Sequence, residues 1–275
     1  MFTTTDSELY SFNLKLALKL GSRFQIKTGL KRIASFSYWR SLEEPLVINK
    51  LKLVPGDKIL DIGSPKTPFL YLATIKQFTI YGTDIQDRTK LLLKNINCLG
   101  LNEEYNKGRV KIEKQDARQL SYKDNEFDKI YSISCLEHIE NNGDTQAMRE
   151  IYRTLKKNGR VVITVPFKSE YQESFRDYSF WDKSFEGEKI FYQRHYDLEA
   201  LKERLIEPSK LKLEKLELYG EPGYRFQNMI LMKVPLAVRA GFSIASPLIQ
   251  KHYIKQLEND QIERAMMACL CLVKR

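Results

Sequence analysis

The stretch Lys58-Ile59-Leu60-Asp61-Ile62-Gly63-Ser64-Pro65-Lys66-Thr67-Pro68 decides how this chain is read. A short apolar run ends in an acid and a glycine. A helix signal follows at once, with Thr67 as N-cap and Pro68 at the first helical position. The pattern predicts a buried strand, a tight turn and a helix over Pro68 to Ile75. A glycine at such a turn lets the backbone approach a ligand closely.

Outward from that turn the pattern repeats. Phe78 to Thr83, Val110 to Lys114, Phe127 to Ser134 and Val161 to Val165 read as strands. Residues 87–99 and 144–157 read as helices, the second with Met148, Ile151, Tyr152 and Leu155 on one side and Asn158-Gly159 at its end. Strands alternating with helices predict a parallel sheet covered on both faces. Such sheets bind ligands beyond the carboxyl ends of their strands. Asp84 stands there, 23 residues after Asp61, where an acid can accept both hydroxyls of a ribose. Asp116-Ala117 pairs a carboxylate for an adenine amino group with a small side chain that leaves room for the ring. Ser134 and then Cys135-Leu136-Glu137-His138-Ile139 follow the fourth strand.

In this order the motifs resemble those of class I S-adenosylmethionine-dependent methyltransferases, most of all the type 11 methyltransferase domain. The resemblance covers residues 55–167 well and Ala265 to Lys274 more weakly. The family's D-x-G-x-G-x-G turn falls on Asp61, Gly63, Pro65 and Thr67, so two of its three glycines are missing. Pro65 has no N–H to donate. Phe127-Asp128 through Glu137-His138-Ile139 matches the family's fourth-strand signature, and Leu155-Lys156-Lys157-Asn158-Gly159-Arg160 its turn before the fifth strand. The resemblance implies an α/β, Rossmann-like fold with a mostly parallel seven-stranded sheet and helices on both faces. It implies S-adenosyl-L-methionine as cofactor, held by Asp61, Gly63, Ser64, Asp84, Ile85, Asp116, Ala117 and Ser134.

The acceptor side is read from composition. Residues 168–196 hold nine aromatics, far above the 11% of the whole chain, and follow the fifth strand at the ligand edge. A loop of this length is usually functional, and it reads as a lid. Tyr178, Trp181, Arg194 and His138 are the acceptor-binding candidates, Arg194 as a clamp for a carboxylate or phosphate. His195 is the candidate general base, since imidazole titrates near neutrality. Asp197 is the expected N-cap of the next helix. The family's last two strands map to Leu211–Tyr219 and Ala265–Lys274, about 45 residues apart, too far for a hairpin turn. The expected organisation is an N-terminal helical extension (1–54) and a methyltransferase domain (55–275) with the lid at 168–196 and an apolar insertion at 221–262.

Composition bounds the rest. The 275 residues carry 45 Lys and Arg against 35 Asp and Glu, with both flanks holding the +10 excess and the middle neutral. No basic stripe or nucleic-acid motif stands out, so no nucleic acid is expected. A basic flank can meet an anionic membrane or an acidic substrate. Leu9, Phe12, Leu16, Leu20 and Phe24 recur at helical spacing, as in a helix folded on the domain or lying at a membrane interface. Four cysteines without a CxxC pair and three dispersed histidines argue against a metal site. No signal peptide or transmembrane run is visible, which fits a cytoplasmic protein, in peripheral membrane contact if the basic flanks bind lipid.

The expected function is methyl transfer to a small, hydrophobic or lipid-like acceptor. The alternative is a non-catalytic cofactor-binding or interaction protein, which the missing glycines favour. A nicotinamide oxidoreductase would need a G-x-G-x-x-G turn that residues 63–68 do not supply. Neither the acceptor atom nor the oligomeric state is written in the sequence.

Overall fold

β1 (Lys58–Ile62) is buried along four of its five residues because it runs between two parallel neighbours, β2 (Thr79–Asp84) and β4 (Phe127–Ile133). In the computed structural model, which describes residues 2–23, 38–63, 66–177, 189–223, 226, 245–246 and 248–275, these strands open an eight-stranded sheet. β3 (Val110–Lys114) lies outside β2, and β5 (Leu155–Pro166) continues the parallel array beyond β4. β10 (Ala265–Val273) then pairs antiparallel with both β5 and β8 (Lys212–Gly220). The order is β3-β2-β1-β4-β5-β10-β8-β9.

The seven-stranded expectation is corrected by one strand. β9 (Lys255–Leu257) pairs antiparallel with Leu218–Gly220 at the edge, within the expected apolar insertion. Three residues, two of them exposed, are too few to show a strand's alternation.

Helices cover both faces. α1 (Asp6–Arg23), α2 (Arg40–Lys50), α3 (Thr67–Ala73) and α4 (Thr89–Leu99) bury Leu9, Leu16, Val47, Ile48, Phe69 and Ile96 against one face. The short α5 (Asn102–Asn106) precedes β3. α6 (Gly143–Thr154) packs on the other face through Ala147, Met148 and Ile151. Its end comes four residues before Asn158, earlier than the periodicity predicted. Asn158 does take the left-handed conformation, at φ 62°, but inside the strand-turn and not as the helix cap.

The aromatic segment after β5 folds back as a two-stranded antiparallel ribbon, β6 (Gln172–Arg176) with β7 (Ile190–His195). The Asp197 carboxylate accepts from the Ala200 N–H at 2.8 Å, the cap its sequence position predicted.

Candidate active site

Strand order reverses between β1 and β4, and a cleft of about 600 Å³ opens at the carboxyl ends of β1, β2 and β4. Gly63 forms its floor at φ +77°, with its N–H donating to Thr83 O at 2.7 Å. A Cβ there would sit 1.8 Å from Cys135 Sγ. Glycine is therefore required twice, by conformation and by the crossing of the β1 and β4 loops.

Asp61 lies beneath that floor, fully buried; neither carboxylate oxygen meets full hydrogen-bond geometry with a described residue, and the buried Tyr131 hydroxyl beside it is its one weak donor there. Burial drives its pKa well up from the ordinary carboxylate value. A buried carboxylate left in this state calls for a donor. Lys66, whose ammonium is pushed down by burial and by Arg40, lines the same cleft.

Asp84 stands at the mouth of the cleft. Its Oδ1 accepts from Gln86 N at 2.8 Å and its Oδ2 from Arg88 Nε at 3.3 Å. Two carboxylate oxygens have about four lone-pair sites, so capacity remains for a diol. Asp116 is gripped by Arg118, with Nε 3.0 Å from both oxygens and Nη2 at 2.7 Å, which lowers its pKa. Ile85, 57% exposed, and Ala117 line the same wall. The Cβ-free floor, the unsatisfied Asp61 and the acids beyond β2 and β3 fit a nucleoside cofactor carrying an amino-acid tail. Ser64, expected in the same set, lies outside the described residues.

A second cavity, of about 630 Å³, adjoins the first and shares Arg40, Ser134, His138 and Tyr192 with it. Ser134 sits at φ +45°, a strained conformation for a residue with a side chain. It is held there from both sides: its N–H donates to Thr164 O at 3.0 Å and its Oγ to Glu43 Oε1 at 2.6 Å. Glu43 also accepts from Thr164 Oγ1 at 2.6 Å and pairs with Arg40 at 2.8 Å.

Glu137 is 1% exposed and its Oε2 has no partner among the described residues. Burial and the neighbouring Glu43 charge push its pKa up to about 8, against the opposing pull of Arg40 and Lys66. The His138 ring places Nδ1 2.7 Å from the Tyr192 carbonyl, so Nδ1 carries the proton, and Nε2 faces Glu137 Oε1 at 3.7 Å. Burial lowers its pKa, as it does that of His195. His195 lies across the cavity, where Gln193 Nε2 donates to its Nε2 at 3.2 Å. Its Nδ1 is buried without a partner.

Arg194 is placed elsewhere. It is 0% exposed and lines neither cavity. Its guanidinium donates to the carbonyls of Ile139 and Asn141 and lies 3.8 Å from Asp144, which also takes Tyr196 Oη at 2.8 Å and Arg204 at 2.8 Å. These contacts tie β7 to the loop that carries Glu137 and His138. With both Nη groups on backbone carbonyls and Nε buried 3.5 Å from Glu173, the clamp expected of Arg194 has no free face toward an acceptor. Tyr178 and Trp181 lie outside the described residues.

Sequence reading missed Glu43 and Glu221 and gave no role to the side chains of Lys66 and Cys135, while Tyr38-Trp39-Arg40 was expected to close over the cofactor, and Trp39 and Arg40 do line the second cavity. One signal was present. Glu43-Glu44 interrupts the apolar run of Leu42, Leu46, Val47 and Ile48, and two acids on a buried helix face must have a partner or a task.

The fold is Rossmann-like, and two adjoining cavities open at the carboxyl ends of its parallel strands. Residues 38–207, more than half of the chain, match the methyltransferase domain family, and the chain belongs to it. S-adenosylmethionine is the cofactor of that family, as the sequence motifs implied. Over 116 residues the chain is 29% identical to Methyltransferase GfsG of Streptomyces halstedii, covering 42% of this chain and 39% of that protein. Over 122 residues it is 31% identical to Phosphoethanolamine N-methyltransferase 3 of Arabidopsis thaliana, covering 42% and 22%. It thus spans well under half the length of both relatives. Among solved structures, Phosphoethanolamine N-methyltransferase 2 of Haemonchus contortus in complex with S-adenosyl-L-methionine superposes with a TM-score of 0.52 at 18% identity, over 94% of this chain and 60% of that one. That likeness shows the fold.

Proposed function

We propose that this chain transfers a methyl group from S-adenosylmethionine to a small acceptor with a polar nucleophilic end and a hydrophobic or lipid-like body. The observation that carries this reading is the shared wall. Arg40, Ser134, His138 and Tyr192 belong to both cavities, so a donor in one and a nucleophile in the other meet across the same four residues.

The cofactor supplies a sulfonium methyl that needs no further activation. The chain's work is therefore alignment and proton removal. Asp61, Gly63, Asp84, Ile85, Asp116, Ala117 and Ser134 would hold the cofactor. Glu137 is the group we assign to take the acceptor's proton. It has an unpartnered buried oxygen in the acceptor cavity and a pKa of about 8, near a working pH. His195, the base expected from sequence, is better suited to orienting the acceptor: with Nε2 accepting from Gln193, Nδ1 is an N–H in search of an acceptor atom. Trp39, Phe167, Met266 and Met267 supply apolar wall, while Lys168 and Arg264 favour an acceptor with an anionic or polar end.

Calorimetric titration with S-adenosylmethionine and S-adenosylhomocysteine tests the first half, with Asp84→Ala as control. Micromolar binding weakened by that change is the expected result. No binding at millimolar ligand would return the chain to the non-catalytic alternative. A methyl-transfer screen over amphipathic amines, phenols and phosphate-bearing amines then identifies the acceptor.

A further inference from the structure

Two long runs of this chain contain no acidic residue. The first extends from Leu9 to Leu42 and carries seven Lys and Arg; the second extends from Pro222 to Leu257 and carries five. Together they make up 70 residues, where an even spread of the 35 acids would place about nine. Without those twelve cations the remainder of the chain is net −2, so the runs account for all of the +10 excess. Both are also rich in Leu, Ile and Phe.

The runs are about 200 residues apart in sequence, yet the fold joins them. Residues 248–253 form a helical segment beside α1, where Gln250 Nε2 donates to Asp6 at 3.2 Å and Lys251 Nζ lies 3.4 Å from the same carboxylate. Further along the same contact, Phe226 packs against Tyr38 at 5.5 Å and stacks on Tyr253 at 4.7 Å. Outer faces are left to solvent. On α1, Ser11, Lys15, Leu18, Lys19 and Ser22 form one exposed stripe at helical spacing; on the neighbouring segment, Leu248, Lys251 and His252 are exposed. Leu248 at 75% and Leu18 at 63% are the two most exposed large apolar side chains among the described residues. A lone exposed leucine is ordinary. Here the two extremes stand on adjoining elements, each next to lysine, in the two acid-free runs. The first run reaches Trp39 and Arg40, and the second starts one residue after Glu221; all three line the acceptor cavity.

We propose that this face docks on an anionic lipid bilayer. Leu18 and Leu248 enter the acyl boundary, and Lys15 and Lys19 meet the headgroup charges, while Lys251 stays paired with Asp6. No helix among the described residues is long and apolar enough to cross a membrane, so the contact is with the surface. A nucleic acid would use the lysines but has no place for leucines at the apex of the stripe. Docking deepens the methyl-transfer reading by setting the acceptor cavity beside the bilayer, but it does not depend on that reading.

The test is co-sedimentation of the full chain, without cofactor or acceptor, with vesicles of phosphatidylcholine alone and with about 30% phosphatidylglycerol added. Binding to the anionic vesicles should exceed that to the neutral ones at least tenfold and fall with salt. Each cation near such a surface contributes roughly fivefold in partitioning, so Lys15→Glu with Lys19→Glu should weaken binding more than tenfold. Leu18→Ser with Leu248→Ser should weaken it by a similar factor. These residues are exposed, so the circular-dichroism melt should be preserved. Equal binding to both vesicle types, no vesicle binding, or binding indifferent to both double variants overturns the proposal. So does binding of an RNA oligonucleotide that needs the lysines, spares the leucines and excludes vesicles. S-adenosylmethionine titration of the same samples separates the two readings: cofactor binding retained without vesicle binding sinks the docking alone.

Discussion

The two cavities of this molecule are built in opposite ways. The first cleft is made mainly from residues at or after the ends of β1, β2, β3 and β4, within residues 62–140, closed by Arg40 and by Ile190, Phe191 and Tyr192. The acceptor cavity draws on segments near 40, 137, 167, 192, 221 and 265, which meet only when the fold is complete. The first is local backbone geometry repeated strand by strand. The second is assembled from long-range packing, and its lining includes Arg40, Glu43 and Glu137.

That contrast can be broken most sharply at Gly63. Gly63→Ala drives a Cβ into Cys135 Sγ and strains a positive-φ turn, and should destabilise the chain by about 2–5 kcal/mol with loss of cofactor binding, read by thermal melt and calorimetry. Adding Cys135→Ala should recover part of the loss, because the nearest atom is removed. If Gly63→Ala is silent, the floor is not where the structure puts it.

Glu137→Gln should act on the other cavity alone. A drop in kcat of roughly 10²–10⁴ is expected, with S-adenosylmethionine affinity within about twofold of the parent. The wild-type rate should rise with pH through about 8 as the carboxylate ionises, and the variant should lose that step. Stability should run the other way. The folded chain keeps Glu137 protonated above the pH at which the unfolded chain ionises it, near 4.5, so stability falls between there and about 8. The Gln variant should be flatter over that window in urea titrations. The charges that face Glu137 are Glu43, Arg40, Lys66 and, when protonated, His138.

Asp84→Ala should weaken S-adenosylmethionine binding by about 10–100-fold, the range for losing charge-assisted hydrogen bonds, while the melt stays near that of the parent. An equal loss from Glu137→Gln would mean that the cavities are not separable. The smallest effect is expected at Asp197→Ala, where removing a helix cap costs about 1 kcal/mol. Its kcat should be unchanged, because the cap touches neither cavity.

The same contrast explains what could be read from sequence. Strand ends carry local signatures, so the order of residues alone places Asp61, Gly63, Asp84, Asp116 and Ser134 at one edge of the sheet. The Asp197 cap was legible for the same reason. Arg194 was not, because its type suggested a ligand clamp while its position buries it under two backbone carbonyls. Glu43 left only the break in the apolar run of α2 as a signal, and its contacts follow from α2 packing over the strand ends. β9 escaped because its pairing, not its composition, makes it a strand.

The place of β10 in the sheet also constrains how the chain is made. β10, the last strand in sequence order, sits inside the sheet between β5 and β8, with Ala268, Cys269, Leu270 and Leu272 wholly buried. Until it leaves the ribosome, β5 has an open edge and β8 with β9 has no sheet to join. The half built on β1 to β4, with the first cleft, can form before β10 is made, whereas the second cavity, lined by Ala265 and Met267, must wait for it.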